Sequence, residues 1–418
     1  MSTVAVLGCM WGDEAKAKIV DVLGAKADMV VRFQGGSNAG HTIIIDDEKY
    51  VLHMVPSGIV NPKLICVIAP GVVMNPFEFI EEMKGLEERG IEFKNRLIID
   101  PRANIVLPLH KELDCKAEKL ENANVIGTTK RGIGPAYSDA TARVGLKVYH
   151  MYDEKTLTEM LEKLYEYHDI GISMSEIDSI VADLRQAADY LKPYIKQTPY
   201  YLNEQINAGM NVLFEGAQGT LLDITYGSYP FVTSSHTVSG GISIGCGVPP
   251  KKINKVIGVY KSYFTRVGEG PFPTELFDKT GEKIREQGNE FGSTTGRPRR
   301  IGWFDAVASR YTAMLNGLDE IALTLVDVLT GIGDISICTG YEYHGMTLTE
   351  FPAEVRILSN IKPIYETLPG WDEDITQIRD FDKLPENAKA YVKKIELLLG
   401  TPVKIVSVGP DRKQTIFR

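Results

Sequence analysis

The residues with the clearest chemical potential lie in segment 8–18. Apolar, β-prone residues precede it, and Gly8 and Gly12 bracket a turn that leads into a predicted helix. Such a turn directs backbone N–H groups and the positive end of a helix at a ligand, which suits a phosphate. Asp13 stands among these donors, where a carboxylate usually carries a metal ion or a proton. The segment lacks the Walker A pattern, so a plain strand–helix connection with Asp13 as a first-turn charge is the alternative.

A second glycine-rich loop, residues 34–42, follows the next predicted strand. Its three glycines permit the backbone to approach a ligand closely. His41 lies in this loop, and an imidazole titrates near neutrality, so it can serve as a general acid beside a phosphate-binding turn. A histidine at the surface, or one whose ring is only hydrogen-bonded within the protein, fits the sequence equally well.

The most basic loop, residues 294–300, combines hydroxyl groups with guanidinium groups. Two threonines and a glycine precede Arg297, Arg299 and Arg300. Arginine binds carboxylates and phosphates through two parallel hydrogen bonds, so this loop predicts an anionic ligand in an otherwise acidic protein. A solvated, charged turn is the alternative.

Asp327 follows a predicted buried strand at residues 321–326. Open α/β sheets bind their ligands at the carboxyl ends of strands. A carboxylate there can accept hydrogen bonds from the ring N–H and the amino group of a purine, which distinguishes guanine from adenine. Capping of the next turn explains Asp327 at least as simply.

Predicted strands alternate with predicted helices through much of the chain. The strands are predicted at residues 4–7, 29–33, 64–69, 211–214, 255–264, 321–326 and 403–406, with a hairpin at 42–55. The helices are predicted at residues 14–23, 75–90 and 386–399, with two packing helices between 157 and 191. This alternation predicts an α/β fold with a large, mostly parallel, doubly wound central sheet and flanking helices. We expect one domain over residues 1–418, with a helical insertion at about 100–205.

The composition excludes several classes of protein. The chain has 418 residues, of which 44% are hydrophobic and 24% charged, and its net charge is −9. The charge argues against a nucleic-acid polymer as partner, although a local basic pocket can still bind a nucleotide. No apolar run reaches the roughly 18 residues of a membrane helix. Five scattered cysteines without a Cys-x-x-Cys pair indicate reduced thiols, and we expect a cytoplasmic protein.

The order of these segments resembles that of the adenylosuccinate synthetases over essentially the whole chain. The segments that carry the resemblance are Gly132-Ile133-Gly134-Pro135-Ala136-Tyr137 and Thr265-Arg266-Val267 with Gly270-Pro271-Phe272-Pro273-Thr274-Glu275, besides residues 8–21, 34–42, 127–143, 214–223, 294–303 and 407–412. The resemblance implies a fold like that of the P-loop NTPases with a variant phosphate loop. It also implies ligation of IMP to L-aspartate at the expense of GTP, with GDP and phosphate released.

The resemblance implies roles for three groups. Asp13 would be the general base that removes the N1 proton of IMP, so that O6 takes the γ-phosphoryl group of GTP and the aspartate amine then displaces phosphate at C6. His41 would be the acid that supports the phosphoryl group in transit. Asp13 and the backbone oxygen of Gly40 would hold one Mg²⁺ per subunit, which neutralises charge on the transferring group.

The resemblance also implies the binding residues. IMP would contact Asp13, Glu14, Ala15, Lys16, Asn38, Ala39, Gly40, His41, Thr129, Arg143, Gln218, Thr233 and Arg297. Aspartate would contact Thr294, Thr295, Gly296, Arg297, Pro298, Arg299 and Arg300. GTP would contact Gly12, Asp13, Glu14, Ala15, Lys16, Ala17, Lys18, Gly40, His41, Thr42, Arg299, Leu325, Val326, Asp327, Ser407, Val408 and Gly409. Arg143 would reach IMP in the neighbouring subunit of a homodimer.

The chain departs from the family pattern at several positions. The family loop Gln-Trp-Gly-Asp-Glu-Gly-Lys-Gly-Lys is replaced here by one with Met10, Ala15 and Ala17, while Ala140 and Leu325 each replace a lysine. An alanine held at positive φ costs ~1–2 kcal/mol, whereas one in the first helical turns costs nothing. Two alternatives therefore stand beside the active synthetase: a paralogue that takes ATP or another 6-oxopurine nucleotide, and a non-catalytic nucleotide-binding relative.

Overall fold

The structure is a computed structural model and describes residues 2–45, 48–119, 126–292 and 296–418. Its strands are Thr3–Gly8 (β1), Met29–Arg32 (β2), His41–Ile45 (β3), Glu48–Leu52 (β4), Ile65–Ile68 (β5), Val73–Met74 (β6), Leu97–Ile99 (β7), Asn104–Ile105 (β8), Val212–Glu215 (β9), Lys255–Lys261 (β10), Phe264–Arg266 (β11), Arg300–Gly302 (β12), Phe304–Asp305 (β13), Glu320–Thr324 (β14), Ile335–Tyr343 (β15), Met346–Leu348 (β16), Lys362–Leu368 (β17), Val403–Ser407 (β18) and Thr415–Phe417 (β19). Its helices are Lys16–Gly24 (α1), Pro76–Glu87 (α2), Pro108–Ala117 (α3), Ile133–Ala142 (α4), Glu154–Tyr167 (α5), Met174–Leu191 (α6), Thr198–Asn207 (α7), Gly240–Cys246 (α8), Lys279–Gln287 (α9), Ala306–Asn316 (α10), Val355–Leu358 (α11) and Glu386–Leu399 (α12).

The central sheet confirms the predicted fold class. Its strand order is β19-β18-β14-β10-β1-β9-β2-β5-β7, and every neighbouring pair is parallel except β18 with β19. Along β1, Val4 and Val6 join one apolar core while Ala5 and Leu7 join another on the opposite face. Helices therefore cover both faces of the sheet, which explains why its inner strands are continuously apolar.

Several predicted boundaries were wrong: the helix predicted at 75–90 ends at Glu87 and the hairpin predicted at 42–55 ends at Leu52. Three others bear on the site, and two of them have the same cause. The first helix starts at Lys16 and not at residue 14, since Asp13 and Ala15 have φ of 61° and 62°, outside the helical region. Likewise, the strand predicted at 321–326 ends at Thr324, because Leu325 has φ of 56°. The strand predicted at 255–264 is divided, and its second part, β11, pairs with β12 outside the central sheet.

Helices α3 to α7 follow one another between β8 and β9, in the region of the predicted helical insertion. The two predicted packing helices are confirmed as α5 and α6, and their apolar stripes are buried in the same core as that of α2. That this region is an insertion into a single domain stays a prediction. None of the helices in the described ranges combines the length and apolarity that crossing a bilayer requires.

Candidate active site

The predicted site residues gather at one edge of the central sheet. The strands β1, β2, β9, β10, β14 and β18 run in the same direction, and the loops that follow them contain most of the residues singled out in the sequence. This arrangement places ligands beyond the carboxyl ends of the strands, as open α/β sheets generally do. Because β1 lies between β10 and β9, the turn that follows it is at the centre of the edge.

The turn after β1 is organised from the inside by Glu14. Its carboxylate Oε1 accepts hydrogen bonds from the backbone N–H groups of Met10 and Gly12, both at 2.9 Å. Its Oε2 lies 2.6 Å from the Nζ of Lys16, and both side chains are buried. The carboxylate thus fills the interior of the turn. Asp13 points outwards, with its side chain 32% exposed, so it is the carboxylate of this turn that a ligand can reach.

Asp13 is the end of a chain of alternating charges. Its Oδ2 lies 2.8 Å from the Nε of Arg299, whose Nη1 is 2.6 Å from the Oε2 of Glu290. The Oε1 of Glu290 is in turn 2.7 Å from the Nζ of Lys261. Partial burial alone raises the pKa of the Asp13 carboxyl, but the charges of Arg299, Lys261 and Lys16 outweigh it and hold that pKa below its ordinary value. The surrounding charges therefore favour the ionised form of Asp13.

His41 is held by a carboxylate that sequence reasoning did not assign to the site. The Nδ1 of His41 lies 2.5 Å from the Oε1 of Glu215, which is fully buried at the end of β9. Ser57 donates its backbone N–H to the Oε2 of Glu215 at 2.8 Å. Burial lowers the pKa of His41, more than Glu215 raises it. The sequence did contain a signal for Glu215, because it is an acidic residue at the end of an apolar strand. The same feature singled out Asp327.

Gln218 presents polar atoms that await a ligand. Its backbone has φ of 56°, and both atoms of its side-chain amide are buried without a hydrogen-bond partner among the described residues. A Cβ added at Gly35 would lie 2.9 Å from the Oε1 of Gln218, so the glycine lets the second loop pass close to this amide. A buried amide without a partner is costly, and a bound ligand can satisfy it.

Lys18 joins the first turn to the end of β18. Its Nζ donates to the Oγ of Ser407 at 2.7 Å and to the backbone oxygen of Gly409 at 2.6 Å. Burial lowers the pKa of Lys18 to about 8. Lys18, Ser407 and Gly409, which are all predicted to contact GTP, are thus brought together.

The Oδ1 of Asp327 is buried without a partner in the described part of the chain, and burial raises the pKa of Asp327 to about 6.

Two further predicted arginines, Arg143 and Arg300, differ in their surroundings. Arg143 is exposed at the end of α4 and has φ of 68°. Arg300 pairs with the carboxylate of Glu275 through two nitrogens, and its Nη1 donates to the backbone oxygen of Gly270 at 2.8 Å. Its guanidinium group is therefore engaged within the protein, and its contact with aspartate stays a prediction. Thr294 and Thr295 lie outside the described residues.

The two alanines of the first turn differ in their backbone. Ala15 precedes α1 in the left-handed conformation, with φ of 62°, where a side chain costs ~1–2 kcal/mol. Ala17 lies within α1 and is buried in the core. Only the first replacement of a family glycine therefore falls where glycine is conformationally favoured.

The chain is similar to known proteins over its full length. A sequence profile of the family described as adenylosuccinate synthetase matches residues 5–416. The adenylosuccinate synthetase of Carboxydothermus hydrogenoformans is 50% identical, and that of Pelotomaculum thermopropionicum 49% identical, each alignment covering 100% of this chain and 99% of the relative. The fully ligated adenylosuccinate synthetase of Plasmodium falciparum matches with a TM-score of 0.95 and 39% identity, covering 100% of both chains. The succinoaminodeoxyadenylate synthetase of cyanophage S-2L, at 19% identity and a TM-score of 0.65, shares the fold.

The two alanines make a matched test of the backbone of the first turn. We expect Ala15→Gly to raise the free energy of unfolding by up to about 1 kcal/mol, because relief of the left-handed alanine exceeds the entropy cost of glycine. Ala17→Gly should lower it by about 1 kcal/mol, as glycine does within a helix. Denaturant unfolding of both variants measures the difference, and equal losses of stability in the two would contradict the assigned conformation of Ala15.

Proposed function

The chain belongs to the adenylosuccinate synthetase family, and from its geometry we propose that Asp13 is the general base of its reaction and His41 the acid. The enzyme ligates IMP to L-aspartate with GTP as co-substrate and Mg²⁺ as cofactor. GTP dependence and a 6-phosphoryl-IMP intermediate are typical of the family. The observation that best supports the proposal is the ion pair between Asp13 and Arg299, since it keeps a partly exposed carboxylate ionised at the centre of the sheet edge.

The first step needs a base at the N1 proton of IMP. As that proton passes to the Asp13 carboxylate, the electron pair shifts to O6, which attacks the γ-phosphorus of GTP. The O6–phosphorus bond forms, and the bond from phosphorus to the β-γ bridging oxygen breaks with its electrons on GDP. In the second step the aspartate amine attacks C6, phosphate leaves with the C6–O6 electrons, and the amine loses a proton. Asp13 acts only in the first step of this scheme.

His41 is suited to assist the phosphoryl group with its second ring nitrogen. Because Nδ1 faces Glu215, the nitrogen left for a ligand is Nε2. Burial keeps the pKa of His41 low before the nucleotide binds, but nearby phosphate charges favour the protonated ring. The imidazolium then donates its Nε2–H to the phosphate oxygens while Glu215 holds the other side of the ring. We thus infer that nucleotide binding charges His41.

The residues present fit a magnesium ion by the chemistry of their donors. Asp13 supplies a carboxylate and Gly40 a backbone oxygen, both hard ligands of the kind that Mg²⁺ prefers, with phosphates completing the set. Among the described residues no group of three or more acidic, histidine or cysteine side chains forms an all-protein metal site, which agrees with a site shared with substrate. When bound, Mg²⁺ neutralises charge on the phosphates.

We propose that the other substrate contacts follow the family pattern, including Gln218 for IMP and Arg299 for aspartate. The unpartnered amide of Gln218 supports the first of these. Arg143 is exposed and has a positive φ. These two features support a homodimer in which its side chain reaches IMP in the partner's site. Non-glycine residues at positive φ are uncommon and often mark functional positions.

The assignment of Asp13 is tested by Asp13→Asn, which keeps the shape of the side chain but cannot take the proton. We expect kcat to fall by about 10²–10⁴-fold, the usual contribution of a general base. Adenylosuccinate formation and phosphate release are followed with IMP, aspartate, GTP and Mg²⁺. The control is Asp183→Asn on the exposed face of α6, which should leave kcat unchanged. Near-normal turnover of Asp13→Asn would show that another group is the base.

The environment of Asp327 predicts how nucleotide preference changes with pH. Above about pH 6 its carboxylate is ionised and can accept hydrogen bonds from guanine, and below that pH it is protonated. We therefore expect kcat/KM for GTP to fall as the pH drops through 6, while kcat/KM for ATP changes less. Asp327→Asn should remove this difference and lower the preference for GTP by about 10–100-fold, the value of a hydrogen bond to a charged group. An unchanged preference would mean that Asp327 does not read the base.

A further inference from the structure

Helix α3 directs three side chains at the loop that leads to Arg143. His110, Asp114 and Glu118 are spaced by four residues, so they lie on one face of the helix and its last turn. Each of them contacts the segment 126–139, which contains Thr129, a proposed IMP contact. We call these three side chains the α3 clamp.

Two members of the α3 clamp hold the backbone of the loop. Glu118 accepts hydrogen bonds from the backbone N–H groups of Ile126 and Gly127, both at 3.2 Å. Asp114, which is buried, accepts from the Oγ1 of Thr128 and from the backbone N–H of Gly132, both at 2.9 Å. Thr129 is therefore flanked on both sides by residues that α3 fixes.

The third member holds the helix α4. The Nδ1 of His110 accepts the backbone N–H of Leu107 at 2.9 Å, so its Nε2 carries the proton and donates to the Oδ2 of Asp139 at 3.0 Å. His168 contacts the same carboxylate from the end of α5, at 2.9 Å and 3.0 Å. The backbone oxygen of Asp139 accepts the N–H groups of Val144 and Gly145, both at 3.0 Å, and so fixes the turn that carries Arg143.

We propose that the α3 clamp positions the segment 126–143 for IMP before the substrate arrives. None of its side chains is placed at the reacting atoms, so their role is positioning and not catalysis. A loop that is ordered in advance does not have to be ordered by the substrate, and this raises affinity. The buried carboxylate of Asp114 is the central member, because it satisfies two donors on either side of Thr129. The proposal rests on the assignment of the segment 126–143 to the IMP site, through Thr129, Arg143 or both.

The proposal is tested first by kinetics. We expect Asp114→Ala to raise KM for IMP about tenfold or more, because two hydrogen bonds to a charged group are lost. KM for GTP should change little, since the nucleotide loops lie on other elements. Asp114→Asn keeps an acceptor oxygen and should restore much of the affinity. Glu112→Ala, exposed on the same helix, is the matched control and should leave KM for IMP unchanged.

Hydrogen exchange in the absence of ligands supplies a second readout. Asp114→Ala should speed exchange of the backbone amides around Gly132, while the amides of α5 and the central sheet keep their protection. If exchange in this loop does not change, or if it speeds up while KM for IMP stays normal, the proposal is wrong. If Asp114→Ala lost protection throughout the protein and raised KM for IMP and KM for GTP equally, Asp114 would be a general stabiliser of the fold. That result would also overturn the proposal.

A separate variant distinguishes failure of the proposal from failure of the IMP assignment. Thr129→Ala removes the proposed contact without touching the α3 clamp. If it leaves KM for IMP normal while Asp114→Ala raises that KM, the assignment of Thr129 is wrong and the positioning role of Asp114 stands. If Thr129→Ala raises KM and Asp114→Ala does not, the assignment stands and the clamp is refuted.

Discussion

The site depends on a single buried carboxylate, that of Glu14, inside the turn after β1. A buried charge is costly unless it is paired and hydrogen-bonded, and Glu14 is paired with Lys16 and accepts two backbone N–H groups. These contacts tie the turn to itself without any ligand. They also coincide with left-handed backbone at Asp13 and Ala15, which turns the side chain of Asp13 away from the interior. The proposed base is thus oriented by the carboxylate next to it in the chain.

The second constraint is the balance of charge behind Asp13. Asp13 and Glu290 alternate with Arg299 and Lys261, so two negative and two positive groups balance one another. Burial raises the pKa of Glu290, yet Lys261 and Arg299 keep it below its ordinary value. Arg299 therefore remains a cation between two carboxylates. One guanidinium group thus keeps Asp13 ionised and is also a proposed contact of the substrate aspartate.

The sequence predicted the elements and the chemical types better than their contacts. The apolar strand β1, the turn with Asp13 and the anion-binding character of Arg299 followed from local pattern. In the structure, however, Arg299 lies between two carboxylates of the protein itself, Glu290 at 2.6 Å and Asp13 at 2.8 Å, and Asp13 is distant in sequence. Glu215, Glu290 and Asp114 were not assigned roles, because each acts on a residue that folding brings to it from another part of the chain. The sequence did not decide whether φ is positive at Ala15, since an alanine gives no local indication of that conformation.

The central claim is that Arg299 keeps Asp13 ionised as the base. It is tested most directly by the pH dependence of kcat/KM for IMP in Arg299→Gln, with GTP and aspartate held saturating, because this ratio reports ionisations of the enzyme form to which IMP binds. Loss of the positive charge removes stabilisation of the carboxylate, so the pKa of Asp13 should rise. We predict that the acid limb of the profile moves to higher pH than in the unaltered enzyme. An acid limb at the same pH in both proteins would contradict the account.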